Sequence, residues 1–423
     1  MVVTRRLALQ GALALAAGAL APPLRAATRA RVAIVGGGWG GLACARALRQ
    51  IAPGLDVTLI ERDASFFSLP LSNRVLAGTL DAARLQFDAR AAAARHGYAR
   101  IEAEVTAIDR DKRRLRWPGG EAAYDWLVLA PGIRYDWSAW FGSDTDAAAR
   151  CAREFPCGMR AGEFADMRRV VDAFHGGDLL MNVPAQPGRC PPAPYERAVA
   201  IAARIRRERL KARLILVDPG PGALGFRQLF AERYRDEIVH LTNATITHVD
   251  PVARRVRTEF DDIRFDAALL APPQQAADPV WQAGLVGAEA GGEAGRSRGW
   301  AAVQPLSLRA IDDERIFVIG DAVGAVSPLF GHYPKSAHVA VRMARIVAGE
   351  IAARAAGRDA PAALPDSVCY VGSDVAPPES LRIDARFHQR GDGVIVQTVR
   401  QHRDPQPRGE DEVWLASLVA ELF

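Results

Sequence analysis

The segment that most constrains this chain is RVAIVGGGWGGLACARALRQIAPGLDVTLIE, residues 31–61. Val32-Ala33-Ile34-Val35 is an unbroken apolar, β-branched run, the pattern of a strand buried on both faces of a parallel sheet. Gly36, Gly38 and Gly41 follow in G-x-G-x-x-G spacing. An alanine-rich helix, Leu42 to Gln50, comes next, and then a second strand, Val57 to Ile60, ending on Glu61. Each part has a physical task. Gly36 permits a tight turn, Gly38 lets the backbone approach a pyrophosphate, and Gly41 allows close packing of helix on strand. The helix N-terminus presents free N–H groups to phosphate, and an acid about twenty residues on accepts hydrogen bonds from a ribose. Strand, turn, helix, strand and acid in this register predict dinucleotide binding.

The remaining chain sets the organisation. With 423 residues there is length for two or three domains. The 54 basic and 49 acidic residues are well mixed and leave a net charge of only +5. No basic tract with interleaved aromatics stands out, which argues against a nucleic-acid partner. Residues 1–28 read as a twin-arginine export signal: Arg5-Arg6, an apolar stretch from Ala8 to Ala21, and small residues at Ala26-Ala27. The expected location is therefore the periplasm, and no integral membrane span is expected in the mature chain. Five cysteines in an oxidising compartment leave at least one without an intramolecular partner. Cys44 and Cys369 read as packed hydrophobes, while Cys151, Cys157 and Cys190 stand open for chemistry.

Beyond Glu61, strands are predicted over 101–108 and from Tyr124 to Leu129, the latter closing on the turn Ala130-Pro131-Gly132. A second strand–turn–helix–strand follows: Asp178 to Val183, Tyr195 to Leu210, Arg213 to Asp218. Its turn, residues 186–194, reads QPGRCPPAP where a nucleotide site needs repeated glycines. Prolines lack N–H donors, so no NAD(P)H site is expected there. Arg315 to Ala322 is a buried strand ending in Gly320-Asp321, with a helix from Ser336 to Ala353. The fold expected is α/β, with two Rossmann-like dinucleotide-binding domains plus a small C-terminal α+β domain. The first, carrying the glycine turn, takes residues 29–146 and 271–354, the second 147–270, and the last 366–423.

Across these motifs the chain resembles the flavoprotein subunit of flavocytochrome c sulfide dehydrogenase, among the two-dinucleotide-domain flavoproteins. The matches are GGGWGG at 36–41, LSNRVLAG at 71–78, CPPAPYERA at 190–198, Gly299-Trp300, VIGDA at 318–322 and YPKSAHVA at 333–340. The resemblance implies an FAD enzyme that oxidises a small sulfur substrate and passes electrons to a c-type cytochrome subunit or a soluble cytochrome c. It implies an FAD site built from Gly36, Gly38, Gly41 and Glu61, with Val105 near adenine and Asp321 on the ribityl chain. Asn73, Pro131, Gly132, Gly320 and Lys335 complete the expected cofactor set. Cys190 would be half of a redox disulfide, Glu196 a base beside it, and Lys335 a cation favouring reduced flavin. Two positions depart. Ala301 stands after Gly299-Trp300 where the family's second redox cysteine is expected, which leaves Cys157, then Cys151, as the expected partner of Cys190. Leu69 stands where a cysteine would tether FAD, so the FAD is expected to be non-covalent. Ala301 leaves open a flavoprotein oxidising another small donor, or an electron-transfer subunit without sulfide activity. No C-x-x-C-H haem site occurs, and no resident metal is expected.

Overall fold

The computed structural model describes residues 29–286 and 298–423. The expected export signal lies outside them. Two parallel sheets carry the architecture. The first runs in the order Ile316–Val318, Trp126–Leu129, Arg31–Val35, Asp56–Glu61, Ala99–Glu102. Every pairing in it is parallel. Arg31–Val35 lies at its centre, and Val32 to Val35 are all buried. Register then decides where chemistry can occur. Val35 sits opposite both Ile60 and Leu129, so the glycine turn, Glu61 and the Pro131-Gly132 turn all emerge at one edge. Crevices at the carboxyl ends of parallel strands are where such sheets bind ligands.

The second sheet has the order Ile238–Thr242, Ala212–Asp218, Gly177–Asn182, Ala267–Leu269, again all parallel. The segments that cross between the two sheets, Ile133–Tyr135 and Gln274–Ala276, pair antiparallel with each other. A third, antiparallel sheet of Ser367–Val375, Pro378–Gln389 and Ile395–Asp404 forms the C-terminal module with the helix Glu410–Val419. Its first strand packs against Ala193–Arg207 of the second unit and Ala337–Ala355 of the first. That contact brings the end of the chain to the middle of the molecule.

Two expected elements differ. The first helix begins at Trp39, before the alanine run, because Gly40 and Gly41 already hold helical geometry against the sheet. The single strand over 101–108 is two, Ala99–Glu102 and Ala107–Asp109. The Ala103 amide still bonds the Glu61 carbonyl, whereas the Thr106 amide bonds Arg116, so the chain changes sheets between them. Among the described residues no helix is long and apolar enough to cross a membrane.

Candidate functional site

The glycine turn forms a cradle. Gly36 has φ +104°, and a Cβ there would collide with the Ala130 carbonyl; one on Gly41 would collide with Gly36. Both approaches require glycine. Gly38 is different, since a Cβ on it would meet no protein atom within 4 Å. It faces open space, at the start of a helix with no side-chain cap and no acid in its first turn. A pyrophosphate fits that uncapped N-terminus. Glu61 closes the cradle: its carboxylate accepts from the Gly37 amide and, at 2.9 Å, from the Asp63 amide. Val105 is buried against the same core, beside the outer strand Ala99–Glu102. These residues fit the ADP half of FAD.

On the other side of the sheet centre, Gly320 has φ +72° and begins the short turn that carries Asp321. The Asp321 carboxylate is held by Arg189, Nε to Oδ2 at 2.5 Å. The same guanidinium donates to the Met159 carbonyl at 2.8 Å and lies against Gly132. Lys335 is 4% exposed. Its Nζ donates to the carbonyls of Asp321 and Val323 at 2.7 and 2.8 Å and sits 3.7 Å over the Trp300 ring. Three neutral acceptors hold this cation without a fixed anion on the ammonium itself. Burial lowers its pKa to about 7; Asp321 opposes that shift and Arg189 adds to it.

The loop before helix Ala193–Arg207 carries the sulfur. Cys190 has φ +45°, a left-handed conformation uncommon outside glycine. Neighbours hold it there: the Arg189 amide donates to Gln274 Oε1 at 2.8 Å, and the Cys190 amide to the Lys335 carbonyl at 2.9 Å. One turn into the helix, Glu196 accepts from Asn73 Nδ2 at 2.6 Å and from the Gly372 amide at 2.7 Å. Burial raises the Glu196 pKa, and these two hydrogen bonds only partly offset it. Asn73 thus meets Glu196; its Oδ1 accepts from the buried Arg197 at 3.2 Å. Arg197 also grips the Cys157 carbonyl, tying the segment behind the loop to the same cluster.

The structure pairs Cys190 with neither Cys157 nor Cys151. The Cys157 thiol is buried and bonded to the Tyr135 hydroxyl at 3.1 Å, which in turn donates to Glu163 at 2.6 Å. Burial pushes this thiol up to about 12. Cys151 is packed in another core, among Trp140, Phe155 and Val217. The thiol within hydrogen-bonding reach of Cys190 is Cys369, on strand Ser367–Val375. That hydrogen bond, and then burial, holds Cys369 well above the ordinary thiol range. Both cysteines are free thiols in this structure. Ala301, which stands where the family's second sulfur is expected, is fully buried between Val286 and Val323. Arg189, Arg197 and Gln274 were not singled out from sequence. The Arg next to Cys190 and the Glu-Arg pair at 196–197 were the available signals.

Comparison with known proteins identifies the family. Residues 166–272 match the family model for the central part of the sulfide dehydrogenase [flavocytochrome c] flavoprotein chain, and residues 30–141 match that of the pyridine nucleotide-disulphide oxidoreductases. A sulfide dehydrogenase [flavocytochrome c] flavoprotein chain from Chlorobaculum thiosulfatiphilum is 47% identical over 45 residues, which is 94% of that sequence but 11% of this chain. In fold, the chain is similar to the sulfide:quinone oxidoreductase of Aquifex aeolicus, with TM-score 0.71 at 18% identity over 93% of this chain and 91% of that one. It is also similar to an NAD-dependent persulfide reductase from A. fulgidus, with TM-score 0.61 at 16% identity over 92% and 77% of the two chains. An FAD-type cradle, a paired thiol loop and these matches lead to one conclusion: the chain is an FAD-dependent oxidoreductase that belongs to the family of the flavocytochrome c sulfide dehydrogenase flavoprotein chain.

Proposed function

We propose that this chain is an exported enzyme that takes an electron pair from a small reduced sulfur compound, hydrosulfide being the simplest, and delivers it to a c-type cytochrome. The observation that carries this is the Cys190–Cys369 pair set beside the half-buried acid Glu196. With the pair oxidised to a disulfide, hydrosulfide attacks one sulfur; a new S–S bond forms, the old one breaks, and the other cysteine leaves as thiolate. The attacking group gives its proton to the Glu196 carboxylate, whose raised pKa suits it to hold that proton. Joining the resulting persulfide to the thiolate as a bridge of three sulfurs releases two electrons. Bound FAD would supply the two-electron acceptor and the outlet to a haem. Asn73 and the Gly372 amide orient Glu196, and Arg189 and Lys335 hold the loop and strand end on which Cys190 and Asp321 sit.

The test is sulfide-dependent reduction of a c-type cytochrome by the purified, FAD-loaded protein. Rapid cytochrome reduction supports the proposal. A flavin that sulfide does not bleach overturns the substrate; a bleached flavin that no c-type cytochrome reoxidises overturns the partner. Replacing Arg5-Arg6 by two lysines should keep the protein in the cytoplasm, and unchanged export would overturn the assigned location.

A further inference from the structure

We infer that Gln274 is a further flavin-holding residue, donating a hydrogen bond through its side-chain amide nitrogen to bound FAD. The inference rests on the FAD site described above and extends it to the strand that crosses between the two sheets.

The orientation of this amide is fixed by its neighbour. Oε1 accepts the Arg189 backbone N–H at 2.8 Å, and only an oxygen can do so. Nε2 is therefore the opposite, donating end. It is buried, in a residue only 5% exposed, and among the described residues it has no partner. A buried donor without an acceptor is costly, and native proteins seldom leave one without a reason.

The adjacent residue shows that the unpaired amide is specific to Gln274. Gln275 lies on the same short strand and points to its other face. Its Oε1 accepts from Arg134 Nη2 at 3.1 Å, and its Nε2 donates to Asp136 at 2.9 Å. Of two consecutive glutamines, one is satisfied by protein and the other is not. The unsatisfied one belongs to the cofactor ring. Its backbone pairs with Tyr135, three residues past Gly132. Its partner Arg189 joins Asp321, Gly132 and the Lys335 backbone. A flavin offers carbonyl oxygens and ring nitrogens as acceptors, which is the chemistry the free N–H requires.

Gln274→Glu, studied at pH 8.5 where the carboxylate is ionised, separates the two ends of the amide. It keeps an acceptor for the Arg189 N–H and removes the donor. Gln274→Leu removes both. Each apoprotein is titrated with FAD, and the flavin spectrum, midpoint potential and apoprotein melting curve are recorded. The expected result for Gln274→Glu is roughly tenfold weaker FAD binding and a more negative potential, with the apoprotein melting like the parent. Gln274→Leu should weaken FAD binding similarly and also lower the melting temperature, because the Arg189 bond is lost. If Gln274→Glu binds FAD within about twofold of the parent, with the same spectrum and potential, the inference is overturned while the FAD site stands. A parent protein that takes up no FAD overturns both.

Discussion

The two parallel sheets begin alike and end differently. Each turns from its leading strand into a helix, and each closes its second strand on an acid, Glu61 in one and Asp218 in the other. In the first, the turn is glycine, Gly38 faces open space, and Glu61 is held by two backbone amides at the rim. In the second, the turn is Cys190-Pro191-Pro192, and Asp218 is 1% exposed. Its carboxylate accepts from the Tyr195 hydroxyl at 2.7 Å and the Gly220 amide at 2.9 Å, with His240 Nε2 at 3.0 Å. Tyr195 stacks on Phe226, which seals that end. Nucleotide capacity is thus a property of the turn and the freedom of the acid, not of the scaffold. Where the first turn has its glycines, the second carries a thiol.

The largest effect is expected from removing the sulfur. Cys190→Ser or Cys369→Ser should slow flavin bleaching by sulfide about a thousandfold or more while FAD stays bound. Cys157→Ser should change the rate less than about threefold, since that thiol is committed to Tyr135. Equal losses at Cys157 and Cys369, followed by stopped-flow absorbance, would assign the pair wrongly. On the nucleotide side, Gly38→Val should weaken FAD binding about a hundredfold by filling the space over the helix N-terminus. Acid precipitation of the parent should leave colourless protein, because Leu69 offers no tether; a flavin that stays with the polypeptide would contradict this.

A smaller effect concerns the cation between the two turns. Lys335 falls from 10.5 to about 7 on folding, so it disfavours the folded state whenever it must stay protonated. That cost is absent above pH 10.5, grows as pH falls, and is complete below about 7. Apoprotein carrying Lys335→Met should therefore gain stability relative to the parent as pH falls across that window, by a few kcal/mol at most. Urea melts at several pH values would read it, and a constant difference would exclude the titration. Smallest is Asp218→Asn, costing roughly 1–3 kcal/mol of stability at pH 7 and no flavin. The hydrogen bonds at Asp218 outweigh its burial and lower its pKa, so this cost should shrink as pH falls through the folded value. NADH should bleach the flavin very slowly in parent and variant alike, and rapid bleaching would show that the second site is not closed.

Local chemistry made the first unit legible. Gly36, Gly38, Gly41 and Glu61 act through a backbone turn whose needs are written within thirty-one residues. The sulfur pair was half legible. Cys190 stood out in a proline turn, but Cys369 lies in an apolar strand whose period matches packing alone. Only the docking of that strand on helix Ala193–Arg207, with Gly372 against Glu196, puts the two thiols together. Asp321 was legible as a residue at a strand end, whereas its pairing with Arg189 depends on a loop from the other unit. Asn73, read as a cofactor contact, has both ends of its amide engaged with Glu196 and Arg197. Sequence pattern reports the element a residue belongs to; tertiary packing decides its neighbour.

Because Cys369 is delivered by the last sheet, the order of synthesis has a consequence. Cys190 leaves the ribosome long before its partner, and both flavin-side strands and the glycine turn are made before Cys369 appears. A nascent or C-terminally clipped chain could fold around its cofactor and still lack half of its sulfur centre. Such a molecule would be yellow and inert. On the proposed chemistry, completion of the polypeptide, rather than arrival of the cofactor, would be the event that arms it.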